Sequence, residues 1–187
     1  MKYIIFNKPY AVLSQFTPQE GKRSLKDFGF PKNVYPVGRL DYDSEGLLLL
    51  TDDNEIKHKL TDPKYELHKT YLAQVERIPA EESLQQLREG IIIEGRKTKP
   101  ADVRLLPEEP QLPPRPIPIR FRKTVPTAWL EITIREGRNR QVRKMTAAVG
   151  HPTLRLVRTK IENVEMKELK PGEWKEISKE EIFRHRS

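Results

Sequence analysis

Four consecutive leucines, Leu47 to Leu50, follow a block, Gly38-Arg39-Leu40-Asp41-Tyr42-Asp43-Ser44-Glu45-Gly46, that holds one arginine and three carboxylates. Leucines gain free energy by leaving water, whereas charges resist burial unless they are paired. The pattern predicts a buried strand over residues 47–51 with a polar rim in front of it, and it sets Asp41 at the boundary. By itself the pattern is also met by a polar loop leading into a core strand, the ordinary place for a solvated or structural carboxylate. Thr51-Asp52-Asp53-Asn54 then reads as a turn and N-cap opening a short helix through Leu60. Ahead of the block, residues 3–6 form a short strand ended by Asn7-Lys8-Pro9, with residues 12–16 as its partner. Residues 17–36 are polar and irregular apart from a helical turn over 24–28.

Further along, residues 69–77 alternate, with Tyr71, Ala73 and Val75 on one face of a strand. Pro79-Ala80-Glu81-Glu82 opens a helix through Arg88 whose Leu84 and Leu87 share a face, and Gly90 stops it. Residues 91–93 and 100–106 are expected strands. Residues 107–126 contain seven prolines, which excludes a helix or a central strand and predicts an extended surface loop. Its Arg115, Arg120, Arg122 and Lys123 are placed either to touch a polyanion or simply to decorate a loop. Residues 128–135 alternate again, with Trp129, Glu131, Thr133 and Arg135 opposite Ala128, Leu130, Ile132 and Ile134, the mark of a half-buried antiparallel strand. A turn at 136–139 leads to a helix over 140–149, read from Val142, Met145 and Val149, and Gly150 ends it. Strands over 154–159 and 174–177 complete the chain. One-sided strands with a few interspersed helices predict an α+β fold.

The length of 187 residues suits one domain with a real core, or two small lobes. A net charge of +8 suits a polyanionic partner. The chain has no cysteine, which excludes disulfides, thiolate nucleophiles and cysteine-based zinc sites. His58, His68, His151 and His185 show no metal-ligand spacing. The apolar run at the N-terminus is too short for a signal peptide, and no stretch approaches the ~20 apolar residues that span a bilayer. The expectation is a cytoplasmic protein without metal.

A second block, Glu136-Gly137-Arg138-Asn139-Arg140-Gln141-Val142-Arg143-Lys144-Met145, changes the reading of the first. With Lys69-Thr70-Tyr71 between them, the two blocks resemble the RsuA-type pseudouridine synthases of ribosomal RNA, which carry a GRLD block with a catalytic aspartate, a K-x-Y strand and an EGRNRQVRRM block. The resemblance runs from Phe6-Asn7-Lys8-Pro9 to Leu169-Lys170-Pro171-Gly172-Glu173-Trp174, with Ser44 where threonine is usual and Lys144 where arginine is usual. It is nearest to the RluE-like branch that acts on large-subunit ribosomal RNA. Since Asn-Lys-Pro begins at residue 7, the expectation is a single catalytic domain over 1–187 in two lobes, without an N-terminal S4 domain. The implied fold is a mostly antiparallel, bent mixed sheet with flanking helices and a central cleft.

The implied reaction breaks the N1–C1′ bond of a uridine, turns the base and forms C5–C1′. It needs no redox step and no energy source, so no cofactor is expected. The protein must supply an anion at C1′ or C2′, a dry pocket for uracil and a group that takes the C5 proton. Asp41 fits the first role, either attacking C1′ or removing the C2′ proton, and the sequence does not choose between them. A carboxylate withdrawn from water needs a cation to stay charged, and the resemblance gives that part to Arg143, whose other reading is a phosphate contact or a solvated helix face. The resemblance makes Tyr71 the residue that stacks on uracil and assists loss of the C5 proton; otherwise it is a core tyrosine. Arg39 either fills the space vacated by a flipped base or binds a phosphate. Lys69, Arg138, Asn139, Arg140, Gln141, Lys144 and Arg155 complete the expected RNA-binding set. The expected partner is ribosomal RNA, free or in a pre-ribosomal particle, and the chain is expected to act as a monomer. Two rivals remain at this stage. A non-catalytic ribosomal RNA-binding factor explains the charge but not an aspartate set among arginines. A glycoside hydrolase needs two carboxylates facing each other across a substrate, which Asp41 with Asp43 or Glu45 on one extended stretch does not provide.

Overall fold

The leucines do form a strand. In the computed structural model, which describes residues 1–119, 124–166 and 168–183, every residue of the Glu45–Thr51 strand is buried. Burial on both faces requires neighbours on both edges and layers above and below. On one edge lies the antiparallel strand Tyr3–Lys8, in a register that sets Ile5 opposite Leu49 and Lys8 opposite Gly46. Tyr3–Lys8 is flanked in turn by Trp174–Ile177. One layer of core gathers Ile5, Leu47, Leu49, Ile56, Leu60 and Ile161. On the other side Phe6 packs edge-on against Phe28 and Phe30, with ring centroids 4.9 and 5.0 Å away.

These strands belong to the first of two units, Met1–Leu67 with Arg158–Ser187. Its first helix, Asn54–Thr61, starts where the sequence places it: the Asp53 carboxylate accepts from the N–H groups of Glu55 and Ile56. The helical turn Leu25–Phe28 is also found, and the Asp27 carboxylate accepts from the Ser24 N–H at 2.8 Å.

The second unit, His68–Val157, is built on Lys69–Glu76 paired antiparallel with Thr127–Ile134, which pairs in turn with Asp102–Leu105. Alternation is obeyed closely: Tyr71, Ala73 and Val75 are buried, and so are Leu130, Ile132 and Ile134. Helix Glu81–Glu89 buries Leu84 and Leu87. Helix Gln141–Ala148 buries Val142 and Met145.

One sequence expectation needs correction, and two elements gain detail. Residues 12–16 do not pair with the first strand; Val12–Leu13 pairs in parallel with Arg23–Ser24 instead. Both edges of the first strand are taken by longer strands, one of which buries four leucines, and that gain outweighs a two-residue pairing. The strand expected over 91–93 is one arm of a small hairpin, Ile92–Ile93 with Arg96–Lys97. A last helix, Lys179–Phe183, went unread. It carries a capping box, in which the Ser178 N–H donates to Glu181 at 2.8 Å and the Glu181 N–H donates to Ser178 Oγ at 3.3 Å.

Candidate active site

In the first unit the segment around Asp41 is fixed through its backbone. Leu40 is buried. Its N–H donates to Ser14 Oγ at 3.1 Å, and the Ser14 hydroxyl donates back to the Leu40 carbonyl at 2.6 Å. The Asp41 carbonyl accepts from the Ser44 N–H at 3.0 Å, and the Tyr42 carbonyl accepts from the Ala11 N–H at 2.9 Å. Three successive carbonyls are therefore held, so the half-buried Asp41 stands on a rigid support at the mouth of a core strand. Arg39 and Tyr42 are exposed beside it. Ser14 escaped the sequence reading because its partner lies 26 residues away, and no local pattern encodes that contact.

Beneath this segment lies Lys8 of the Asn-Lys-Pro motif, with no exposed surface. Its ammonium donates to the carbonyls of Pro9 and Val12 at 2.9 and 2.8 Å. Burial pulls its pKa down to about 7; the Glu45 carboxylate opposes that pull, Arg158 reinforces it, and Asp43 and Asp41 oppose it more weakly. Lys8 thus feels all three carboxylates of the Asp41 block. Arg158, also buried, donates from Nε to the Leu47 carbonyl at 2.8 Å.

The remaining expected residues belong to the second unit. Tyr71 sits on the buried face of its strand, opposite Ile132. Lys69 is opposite Ile134, and its Nζ lies 3.8 Å from the place a Cβ on Gly137 would occupy, so strand and second block meet there. The turn of that block is locked by Gln141, which is buried. Its Nε2 donates to Glu136 Oε1 at 2.6 Å, and its Oε1 accepts from the Arg138 N–H at 3.0 Å. Glu136 Oε1 also accepts from the Lys99 N–H at 2.9 Å. Arg140 has a left-handed backbone, φ +51°, at the head of the helix Gln141–Ala148. That conformation is uncommon for a residue with a side chain, and such strain collects at functional sites. Asn139 and Arg140 are exposed. Half-buried Arg143 projects from the helix and donates from Nη1 to the Thr153 carbonyl at 3.4 Å.

Like Gln141, the expected RNA-binding side chains Arg138, Lys144 and Arg155 are engaged inside the protein. Arg138 donates to the carbonyls of Ile93 and Arg96. Lys144 pairs with Glu94 at 2.6 Å. Arg155 is buried and donates to the Pro113 carbonyl at 2.8 Å, tethering the proline-rich segment. Within that segment Arg115 donates to the Ile117 carbonyl at 2.6 Å, while Arg120, Arg122 and Lys123 lie outside the described residues. Among the described residues no group of three or more His, Asp or Glu is placed to hold a metal ion.

The α+β framework has counterparts among solved structures. A pseudouridylate synthase crystal structure superposes with a TM-score of 0.79 at 31% identity, over 97% of this chain and 72% of that one. The human RNA pseudouridylate synthase domain containing 1 shares the fold, with a TM-score of 0.56 at 17% identity, over 94% of this chain and 78% of that one. The class of protein is thereby that of the pseudouridine synthases. Residues 2–148 match the RNA pseudouridylate synthase family model, and the chain belongs to that family. It is 57% identical to the ribosomal large subunit pseudouridine synthase E of Xanthomonas axonopodis pv. citri, over 90% of each chain. It is 40% identical to the ribosomal large subunit pseudouridine synthase B of Bacillus subtilis, over 99% of this chain and 71% of that one.

Proposed function

We propose that the chain converts a uridine of large-subunit ribosomal RNA to pseudouridine, with Asp41 as the catalytic carboxylate. The observation that carries this reading is the mounting of Asp41: a half-buried carboxylate whose own carbonyl and those of its two neighbours are hydrogen-bonded. A group that must meet one sugar carbon in one geometry gains from such a support. The substrate is argued from the relatives, which are named for the large ribosomal subunit at 57% and 40% identity.

In this reading Asp41 acts at C1′ or C2′, Tyr71 presents its ring to the uracil and assists departure of the C5 proton, and Arg143 supplies the positive charge that keeps Asp41 ionised in a dry site. The base leaves C1′ through N1 and returns through C5. One proton is lost at C5 and one is gained at N1, so product and substrate are isomers. Arg39, Lys69, Asn139 and Arg140 contact the RNA directly. Arg138, Gln141, Lys144 and Arg155 serve binding through the segments that they hold. The enzyme works as a monomer in the cytoplasm, on free RNA or on a pre-ribosomal particle. Among the described residues no helix is long and apolar enough to cross a membrane.

The test is tritium release from large-subunit ribosomal RNA labelled at uracil C5. Wild-type protein releases tritium to water. Asp41→Asn, which keeps the shape and removes the anion, is expected to release none within the assay while binding the RNA within a few fold of wild type, since affinity rests mainly on cations. Release at the wild-type rate by Asp41→Asn eliminates Asp41 as the reacting group. No release by the wild type, from the free RNA or from labelled pre-ribosomal particles, eliminates the synthase reading.

A further inference from the structure

The hairpin Ile92–Lys97 is too small to hold itself together. It has two residue pairs, Ile92 with Lys97 and Ile93 with Arg96, and isolated two-stranded hairpins are marginal even when longer. Its turn is also imperfect. Glu94 and Gly95 both have positive φ, +52° and +74°, the geometry of a two-residue type I′ turn, where asparagine, aspartate or glycine is preferred at the first position. A glutamate there is strained, and its side chain is the part of the turn that does something else: it pairs with Lys144 at 2.6 Å.

The hairpin is held from outside by the second motif block. The Arg138 guanidinium forks onto the hairpin backbone, with Nη2 donating to the Ile93 carbonyl at 2.6 Å and Nη1 to the Arg96 carbonyl at 3.0 Å. These are the two carbonyls that flank the turn. Lys144, in the helix that follows, holds the tip through Glu94. At the base, the Thr98 N–H donates to the Ile91 carbonyl at 2.9 Å and the Ile91 N–H to Thr98 Oγ1 at 3.0 Å. Ile93 and Thr98 point inward and are buried.

This braced element presents an apolar side chain among cations. Ile92 is 66% exposed, and Lys97 stands directly across the strand pair from it. Arg96 and Lys97 are exposed and make no ion pair among the described residues, unlike Arg88, Arg104, Lys144 and Lys160, each of which faces a carboxylate. The one carboxylate on the hairpin, Glu94, is already taken by Lys144. The outer face is therefore an apolar side chain beside two uncompensated cations on a rigid projection. Water hydrates the cations but gains nothing from the isoleucine, whereas nucleic acid serves both: phosphates take the cations and a sugar or unstacked base covers the apolar group.

We propose that the Ile92–Lys97 hairpin is an RNA-contacting element, with Arg96 and Lys97 on backbone phosphates and Ile92 against a ribose or base, and that Arg138 and Lys144 are positioning residues which hold it. The proposal rests on the RNA-substrate reading above and adds a surface to it. It also gives Arg138 a part in RNA binding that its engaged guanidinium otherwise denies it.

The test is equilibrium binding of large-subunit ribosomal RNA over a series of salt concentrations, with melting curves to verify folding and tritium release measured in parallel. Arg96→Gln with Lys97→Gln should melt as wild type and bind at least tenfold more weakly at low salt. Its plot of log affinity against log salt should be shallower by about 1.4 to 1.8, the contribution of two phosphate contacts. Ile92→Ala should bind about fivefold more weakly with an unchanged slope, since only apolar contact is lost. Arg138→Lys keeps the charge but loses the fork. It should also flatten the slope, and combining it with the two glutamine substitutions should add little, because all three changes disable one element. A wild-type slope and affinity for the double glutamine variant overturns the hairpin proposal. A wild-type slope for Arg138→Lys, or full additivity in the combined variant, overturns the positioning role. If wild type binds RNA through the hairpin but releases no tritium, the catalytic reading fails and the hairpin proposal stands.

Discussion

Lys8 shows how one side chain reports on its whole surroundings. A lysine with no exposed surface pays a desolvation cost that its two carbonyl partners only partly offset. Its pKa falls from the ordinary 10.5 to about 7 in the folded protein. Between those values the unfolded chain binds a proton that the folded chain does not. Stability therefore rises with pH from about 7 towards 10.5, and this contribution is flat below that window. Lys8→Met, which keeps the length and removes the charge, should erase that rise. It should also lower the melting temperature throughout, because the Pro9 and Val12 carbonyls lose their donor. Melting temperatures measured from neutral to alkaline pH decide the matter: a variant that still gains stability on alkalinisation as wild type does would remove Lys8 as the source.

At the scale of elements, the strand Glu45–Thr51 and the Asp41 segment before it behave as one part. Gly46 joins them. It has φ +102°, and a Cβ there would stand 2.3 Å from the Arg158 carbonyl oxygen and 2.9 Å from the Arg158 nitrogen. Both neighbours are backbone, so neither can swing aside. Gly46→Ala should cost about 3 kcal/mol or more, as expected where backbone strain and a backbone clash coincide in a buried strand. Because Gly46 follows Asp41 by five residues, the same variant should lose more turnover than RNA affinity. Denaturant unfolding with parallel tritium-release assays checks both halves, and wild-type stability for the alanine variant would show that the strand pair yields at little cost. The hairpin of the second unit follows the opposite logic: its own pairing is weak, and it stands because Arg138 and Lys144 brace it.

For the whole molecule, the net charge of +8 becomes meaningful once its distribution is seen. Several basic side chains already face carboxylates or backbone carbonyls of the protein itself. If Arg39, Lys69, Arg96, Lys97 and Arg140 each take a phosphate, log affinity for ribosomal RNA should fall against log salt with a slope of roughly −3.5 to −4.5. A slope near zero would mean that the RNA is held by apolar contacts, and the cation set would have to be abandoned.

The sequence by itself determined most of the elements and the family. Alternation at 69–76 and 127–134, the leucine run and the Asp53 cap encode local structure because their periods are local. The two motif blocks identify the family because their residue types and order are specific. Only the tertiary structure decided which polar side chains support the site from within. Ser14 against Leu40, Arg138 against Ile93 and Arg155 against Pro113 join residues 26, 45 and 42 positions apart. A hydrogen bond to a distant carbonyl leaves no trace in the donor's own neighbourhood, so an arginine that braces a backbone reads in sequence like one that binds a phosphate. The partner of the first strand was settled in the same way, by the burial of leucines 40 or more positions from the residues they pair with rather than by the short apolar stretch next to it.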